Sequence, residues 1–170
     1  MRVLIYGFGP YRQFQENITA RIVKSLAPRA GLKKKVFPVR FRRSQFTDAL
    51  KRHKPDVVFG MGQCERKSIE IESRAANRKR SSKTAPARLI SKRGRRWLPT
   101  TLAIKIGCST RISRSAGDYV CNYSMYVISD YLLRRMPATR FGFVHIPFNY
   151  DLAKAEKVID QMIRAVVRHA

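Results

Sequence analysis

Short apolar runs that stop at glycine or proline alternate along this chain with segments of helical periodicity. Such a run is typical of a buried strand, whereas apolar residues at every third or fourth position indicate an amphipathic helix. The predicted strands cover residues 2–10 (RVLIYGFGP), 35–41 (KVFPVRF) and 56–62 (DVVFGMG), and the predicted helices cover residues 15–27 and 43–53. Strands that alternate with helices favour a mostly parallel sheet, because each helix crosses back over the sheet.

The C-terminal half continues this alternation. Strands are predicted at 69–76 (IEIESRAA) and 141–147 (FGFVHIP), a candidate strand at 102–107 (LAIKIG), a strand or extended turn at 110–117 (TRISRSAG), and a helix from near Asp118. The chain closes with an amphipathic helix whose apolar side comprises Ala155, Val158, Ile159, Met162 and Val166. No repeat or linker is evident. We therefore predict a single domain over residues 1–170, an α/β/α three-layer sandwich with a mixed, mostly parallel central sheet.

The lengths of the apolar segments and the spacing of the cysteines indicate the cellular location of the protein. No apolar run is long enough to cross a membrane, and the apolar segment at the N-terminus is too short for a secretory signal. The three cysteines, Cys64, Cys108 and Cys121, have neither disulfide-framework nor zinc-ligand spacing. We therefore expect free thiols, no metal site and a cytoplasmic location.

The charge of the chain is strongly basic. Thirty-six Lys and Arg against eleven Asp and Glu give a formal net charge of +25, which attracts polyanions. Residues 73–117 hold thirteen of these Lys and Arg and no acidic residue, and residues 78–100 are predicted as a basic loop region. Its candidate anion-binding residues are Arg78, Lys79, Arg80, Lys92, Arg93, Arg95 and Arg96. Trp97 is the one aromatic residue beside them, so interleaved base-stacking residues are missing.

Cys121 is a candidate nucleophile. In GDYVCN, residues 117–122, the glycine permits a tight turn and Asp118 can cap a helix, which places Cys121 in the first helical turn. A helix N-terminus stabilises a thiolate and lowers the pKa of a cysteine there. The alternative is a buried, inert cysteine between valine and aromatic residues, and this segment alone favours that alternative.

His145 and two glutamates could serve such a thiol. His145 lies near the end of the strand FGFVHIP, at the carboxyl edge where α/β sheets carry their sites. Glu70 and Glu72 alternate with Ile69 and Ile71, so a strand presents both carboxylates on one side. One carboxylate could orient the imidazole, although a structural histidine and a salt-bridged glutamate face fit the same pattern.

Four segments together resemble the pyroglutamyl-peptidase I (pyrrolidone-carboxylate peptidase) family of cysteine peptidases. They are GFGPY at 7–11 with Asn17, GQ at 62–63 followed by IEIESRAAN, GDYVCN at 117–122, and GFVHIP at 142–147, in the order of the family. The resemblance implies a triad of Cys121 as nucleophile, His145 as general base and Glu72 rather than Glu70 as orienting acid. It also implies a pocket for the pyroglutamyl lactam formed by Phe8, Tyr11, Asn17 and Gln63, and no cofactor.

The sequence departs from the family in the segments around that pocket. Tyr11 stands where the family has phenylalanine, and CERK at 64–67 replaces a longer A-x-G-R loop. The family's active-site arginine corresponds to Ser82, with Arg80 and Lys83 beside it. The expected function is removal of N-terminal pyroglutamate from peptides with a blocked N-terminus. The alternatives are a hydrolase of another amide, or this fold used to bind nucleic acid or another polyanion non-specifically.

Overall fold

A computed structural model describes residues 1–11, 14–82, 84–104 and 110–168 of the chain. The eight strands among these residues are β1 (Val3–Phe8), β2 (Leu32–Phe37), β3 (Val57–Cys64), β4 (Ile69–Glu72), β5 (Arg74–Ala76), β6 (Trp97–Pro99), β7 (Thr110–Ser113) and β8 (Arg140–Pro147). The four helices are α1 (Ile18–Ser25), α2 (Arg43–His53), α3 (Val120–Arg135) and α4 (Leu152–Arg168).

Six strands form the central sheet, in the order β2-β1-β3-β8-β4-β7. Every pair is parallel except β4 and β8, which run antiparallel. The other two strands, β5 and β6, pair in a small antiparallel sheet beside it. This architecture confirms the predicted α/β fold with a mixed, mostly parallel sheet.

Alternate residues of the inner strands supply the two layers of the core, because successive side chains of a strand point to opposite faces. On one face Tyr6 packs with Phe46 of α2 and Met125 of α3, and on the other Ile5 packs with Ile22 of α1 and Ile159 of α4. β1 and most of β3 and β8 are therefore apolar. Both faces are covered by helices, as the continuous apolar runs predict.

The segment IEIESRAA does not form one strand, and that prediction is wrong. It divides at Ser73 into β4 of the central sheet and β5 of the small sheet. The amide and hydroxyl of Ser73 both donate to the carbonyl of Ser113, at 2.8 Å each, and thereby end the β4–β7 ladder. Ala75 and Ala76 then turn away and are buried beneath α3, where small side chains allow close approach.

Other segments also differ from the sequence prediction. The second strand ends at Phe37 rather than residue 41, because Pro38 supplies no amide for the ladder. Residues 102–104 are not a strand, and 105–107 of LAIKIG lie outside the described residues. Within the predicted basic loop region, the backbones of Lys79 and Arg88 form an isolated antiparallel β-bridge, and residues 97–99 form β6.

Candidate active site

The carboxyl ends of β1, β3 and β8 meet at one edge of the sheet because these strands run parallel. The N-terminus of α3 lies at the same edge, so that Cys121 lines a cavity together with residues that end β1 and β3. Open α/β sheets bind their ligands at this edge. The topology thereby gathers segments that are more than a hundred residues apart in the chain.

Glu72 and His145 form a buried hydrogen bond. His145 Nδ1 and Glu72 Oε1 are 2.7 Å apart, and the two side chains are 5 % and 0 % exposed. The antiparallel pairing of β4 with β8 places Glu70, not Glu72, directly opposite His145. The side chain of Glu72 therefore reaches diagonally across the ladder to the imidazole. Of the two glutamates left open by the sequence, the structure joins Glu72 to His145.

The Glu72 carboxyl is ionised in spite of its burial. Desolvation alone would raise its pKa, but the hydrogen bond and charge of His145, the Ser113 hydroxyl and the charge of Arg66 together lower the pKa below its ordinary value. A carboxylate in this position accepts a hydrogen bond from the Nδ1–H group and stabilises a positive imidazolium. Nε2 of His145 is then the ring nitrogen left for chemistry.

Arg66 is the cation at this pair. Its Nη1 donates to Glu72 Oε1 over 3.0 Å, the same oxygen that bonds His145, and also contacts Glu70 Oε2. The sequence patterns did not single out Arg66, because it lies in the short CERK loop, which looked only like a departure from the family. The linear sequence does not show that the Arg66 side chain contacts both Glu70 and Glu72 in the folded chain.

Cys121 is the second residue of α3, in the first turn as predicted. Gly62 on β3 makes room for its sulfur: a Cβ on Gly62 would lie 2.6 Å from Cys121 Sγ and 3.0 Å from His145 Cδ2. The thiol and the imidazole therefore rest against the same glycine. Gly62 is also directly opposite His145 in the parallel β3–β8 ladder. The structure thus brings Cys121, His145 and Glu72 into one cluster.

The thiol of Cys121 does not have the lowered pKa that its place at a helix N-terminus led us to expect. Desolvation, with smaller effects from the charges of Cys64 and Glu72, raises the pKa of Cys121 to about 12. The expected cap also differs, since Asp118 pairs with Arg80 and Tyr119 is the N-cap residue without a side-chain cap bond. At neutral pH the thiol is protonated, so a base must remove its proton before it can attack.

Two cavities adjoin Cys121. The smaller, of about 170 Å³, has five aromatic residues among the twelve described residues that line it, and the larger, of about 460 Å³, also includes His145, Arg66, Arg80 and Asp118. Both include Gln63, Cys64 and Glu65. A compact ring next to the thiol and a longer polar chain beyond the imidazole could therefore occupy the two spaces together.

The four predicted pocket residues, Phe8, Tyr11, Asn17 and Gln63, all line the smaller cavity. Asn17 uses its polar atoms within the protein: Oδ1 caps α1 by accepting from Thr19, and Nδ2 donates to the carbonyl of Gly9. Gln63 Oε1 accepts from the amide of Ile18, and Nε2 has no acceptor among the described residues. Gln63 therefore offers a fixed donor to a molecule in the cavity.

Three further aromatic residues of the smaller cavity were not predicted from the sequence. Phe14 and Phe148 pack ring to ring at 5.4 Å, and Tyr119 packs against Tyr11 at 5.1 Å. Phe14 and Phe148 come from opposite ends of the chain, so no local pattern relates them. Tyr119 precedes Cys121 in GDYVCN, and that motif was the available signal for it.

The basic residues lie in the segment that covers α3. Arg78, Lys92, Arg93, Arg95 and Arg96 are exposed, whereas Lys79 and Arg80 are partly buried. Trp97 packs beneath two guanidinium groups, with Arg74 4.1 Å and Arg96 5.6 Å from its ring centroid. Asn122, next to Cys121, bonds the backbone of Ala76 and so anchors this segment to the helix.

Among the residues that the structure describes, no group of three or more His, Cys, Asp or Glu side chains is placed to hold a metal ion. None of the described helices has the length and apolarity to cross a membrane.

The comparisons with known proteins agree on one family. The sequence model of the pyroglutamyl peptidase family matches residues 1–164. A pyrrolidone-carboxylate peptidase of Clostridium botulinum is 31% identical over 170 aligned positions, which cover 87% of this chain and 79% of that protein. The corresponding peptidase of Bacillus subtilis is 28% identical, over 97% of this chain and 88% of that protein.

Solved structures give the same result. Pyroglutamyl peptidase I of Bacillus amyloliquefaciens superposes with a TM-score of 0.84 at 26% identity, covering 98% of this chain and 95% of that chain. A mutant pyrrolidone carboxyl peptidase of Pyrococcus furiosus has a TM-score of 0.89 at 24% identity and 99% coverage of both chains, which shows the shared fold.

Proposed function

The chain belongs to the pyroglutamyl peptidase family, and we propose that it is a cysteine peptidase that removes pyroglutamate from the N-terminus of peptides. The observation that carries the proposal is the 2.7 Å contact between Glu72 and His145, beside a thiol that shares a glycine surface with the imidazole. Packing alone does not require these three polar groups together. Nucleophilic catalysis does require them.

In the proposed mechanism, His145 activates Cys121. Because the thiol is protonated at rest, Nε2 of His145 takes the Sγ proton as the sulfur attacks the carbonyl carbon of the pyroglutamyl residue. Glu72 holds the imidazole through Nδ1 and stabilises its positive charge. Backbone amides in the first turn of α3, which have no acceptor within the helix, stabilise the oxyanion.

The leaving amine then takes the proton from His145, the carbon–nitrogen bond breaks, and a thioester with Cys121 remains. A water molecule gives a proton to Nε2 and attacks the thioester carbonyl. The carbon–sulfur bond breaks, the sulfur regains its proton, and pyroglutamate is released. The protein supplies every acid and base in this cycle. No cofactor is required.

We propose that the smaller cavity holds the lactam ring. Phe8 and Tyr11 provide apolar walls next to Cys121, and Gln63 Nε2 is free to donate to the ring carbonyl. Asn17 contributes by fixing the start of α1, where the amide of Ile18 donates to Gln63 Oε1. These bonds fix the shape of the adjoining cavity wall. The larger cavity receives the remainder of the peptide on the side of His145.

A hydrolase for a different amide is the closest alternative, because the triad would be the same and only the smaller cavity would differ. A blocked peptide or lactam of another size would then be preferred. Use of the fold only for binding nucleic acid is not favoured, because it leaves the Glu72–His145 pair without a purpose. We also propose a cytoplasmic location, because a reducing compartment keeps Cys121 in the thiol form that the mechanism needs.

The test is hydrolysis of a chromogenic pyroglutamyl amide by the wild type and by Cys121→Ser. We expect release of the chromophore by the wild type and a loss of about a thousandfold or more in Cys121→Ser, since an alcohol is a far weaker nucleophile at this site. Cys64→Ser is the matched control, because Cys64 lines both cavities but has no step in the mechanism.

The outcomes separate the candidate functions. An active Cys121→Ser protein would overturn the role of the thiol. An inactive wild type that hydrolyses another N-terminally blocked peptide in a substrate panel would keep the triad and replace the substrate. An inactive wild type throughout such a panel would overturn the peptidase proposal.

A further inference from the structure

Arg66 joins three segments of the site. Its Nη1 donates to Glu72 Oε1 at 3.0 Å and to Ser113 Oγ at 3.1 Å, and it also contacts Glu70. Its Nη2 donates to the carbonyl of Ser115, in the loop that leads into α3 and Cys121. One guanidinium thus links β4, the end of β7 and the approach to the nucleophile.

Arg66 and His145 contact the same oxygen of Glu72. Glu72 Oε1 lies within hydrogen-bond distance of both the Arg66 guanidinium and His145 Nδ1. Glu72 Oε2 is buried and has no hydrogen-bond partner among the described residues. Arg66 also lines the larger cavity with Cys121 and His145, and one third of its side chain is exposed.

We propose that Arg66 is a positioning residue for the reaction: it fixes the carboxylate of Glu72 toward His145 and ties that carboxylate to the loop that leads into Cys121. This inference rests on the proposed function only for its kinetic part. The bonds to Glu72 and Ser115 give it a geometric basis that does not depend on the substrate.

The experiment compares Arg66→Gln with Lys67→Gln, which removes the same charge from the next residue. Lys67 is exposed and makes no hydrogen bond or ion pair with the described residues. We expect Arg66→Gln to lower kcat about tenfold or more with KM changed less than about threefold, because Glu72 loses the donor that holds it toward His145. Lys67→Gln should match the wild type.

Arg66→Lys provides the rescue. It restores the charge but not the forked set of donors, so we expect kcat to recover only in part. A purely structural role of Arg66 would lower thermal stability and the amount of active protein, while kcat per active site stayed at the wild-type value. Arg66→Lys also serves if Arg66→Gln does not fold.

A measurement without substrate separates this inference from the proposed function. The sequence has three histidines, so the signal of the His145 Nδ1 proton, which is shared with Glu72, can be followed by NMR at constant pH, with assignment by a His145→Gln variant. We expect this signal to shift or broaden in Arg66→Gln and not in Lys67→Gln, because the Glu72 carboxylate is no longer held toward the ring. If the wild type hydrolyses no pyroglutamyl amide, the proposed function fails and this spectrum still decides the inference. An unchanged signal in Arg66→Gln would overturn it.

Discussion

Gly62 leaves room for the side chains of the candidate active site because it has no Cβ. It lies on β3 where Cys121, Phe143 and His145 converge, and a Cβ there would meet atoms of all three at 3.0 Å or closer. Real Cβ atoms do not approach sulfur to 2.6 Å, so any other residue would push the thiol or the imidazole away. The glycine is therefore a condition for the geometry and not only a turn signal after an apolar run.

Gly62→Ala tests this reading at the scale of the residue. We expect activity on the pyroglutamyl amide to fall about a hundredfold or more, since small displacements of reacting groups have large effects on rate, and the free energy of unfolding to fall by about 1–3 kcal/mol. The measurements are kcat/KM and urea denaturation.

Gly9→Ala is the matched control, because a Cβ on Gly9 would have no neighbour closer than 3.8 Å. We expect its free energy of unfolding to stay within about 1 kcal/mol of the wild type. Full activity of Gly62→Ala would contradict the placement of the thiol against this strand.

At the scale of the element, the start of α1 connects helix stability to the cavity. Asn17 caps the helix through Thr19, and Gln63 from β3 accepts the amide of Ile18. The first turn of a helix has amides without helical acceptors, and these two side chains satisfy two of them. One cavity wall is therefore fixed by the same bonds that begin the helix.

Asn17→Ala and Asn17→Ser separate capping from contact with substrate. We expect Asn17→Ala to lower the free energy of unfolding by about 1–2 kcal/mol, because it removes the cap, and Asn17→Ser to retain most of that stability. KM for the pyroglutamyl amide should stay within about threefold of the wild type in Asn17→Ser. A large rise in KM with unchanged stability would instead indicate direct contact with the substrate.

At the scale of the whole molecule, the net charge of +25 attracts polyanions. The exposed arginines and lysines that flank Trp97 concentrate this charge, but guanidinium groups of Arg74 and Arg96 lie over the Trp97 ring. Stacking of a base on that ring would have to displace them. We therefore expect electrostatic binding without sequence preference.

Two double variants test this expectation. In Lys92→Gln/Arg93→Gln, binding to single-stranded RNA should weaken and the slope of log K against log salt should fall by about 1.4, since each of the two neutralised contacts contributes about 0.7. The control, Lys154→Gln/Lys157→Gln, removes two exposed charges from α4 and should have a smaller effect. Equal effects of the two variants would show that the whole surface, not the basic segment, attracts the polyanion.

The sequence by itself determined the order and type of most elements. Apolar runs and helical periods predicted β1, β3, β8, α2 and α4, because local burial patterns report which faces a segment must cover. The alternation also predicted the layers of the fold. The resemblance carried by GDYVCN, GFVHIP and IEIESRAAN identified the family and proposed the triad, since these motifs preserve residue types at fixed spacing.

The tertiary structure decided what depends on distance in space. The antiparallel contact of β4 with β8 joins Glu72 to His145, the turn at Ser73 removes the rest of that segment from the sheet, and burial raises the pKa of Cys121 where its helix position alone would lower it. Arg66 became part of the site only when β3, β4 and β7 were assembled around it. Register and desolvation arise from the packing of distant segments, and no local pattern in the chain contains them.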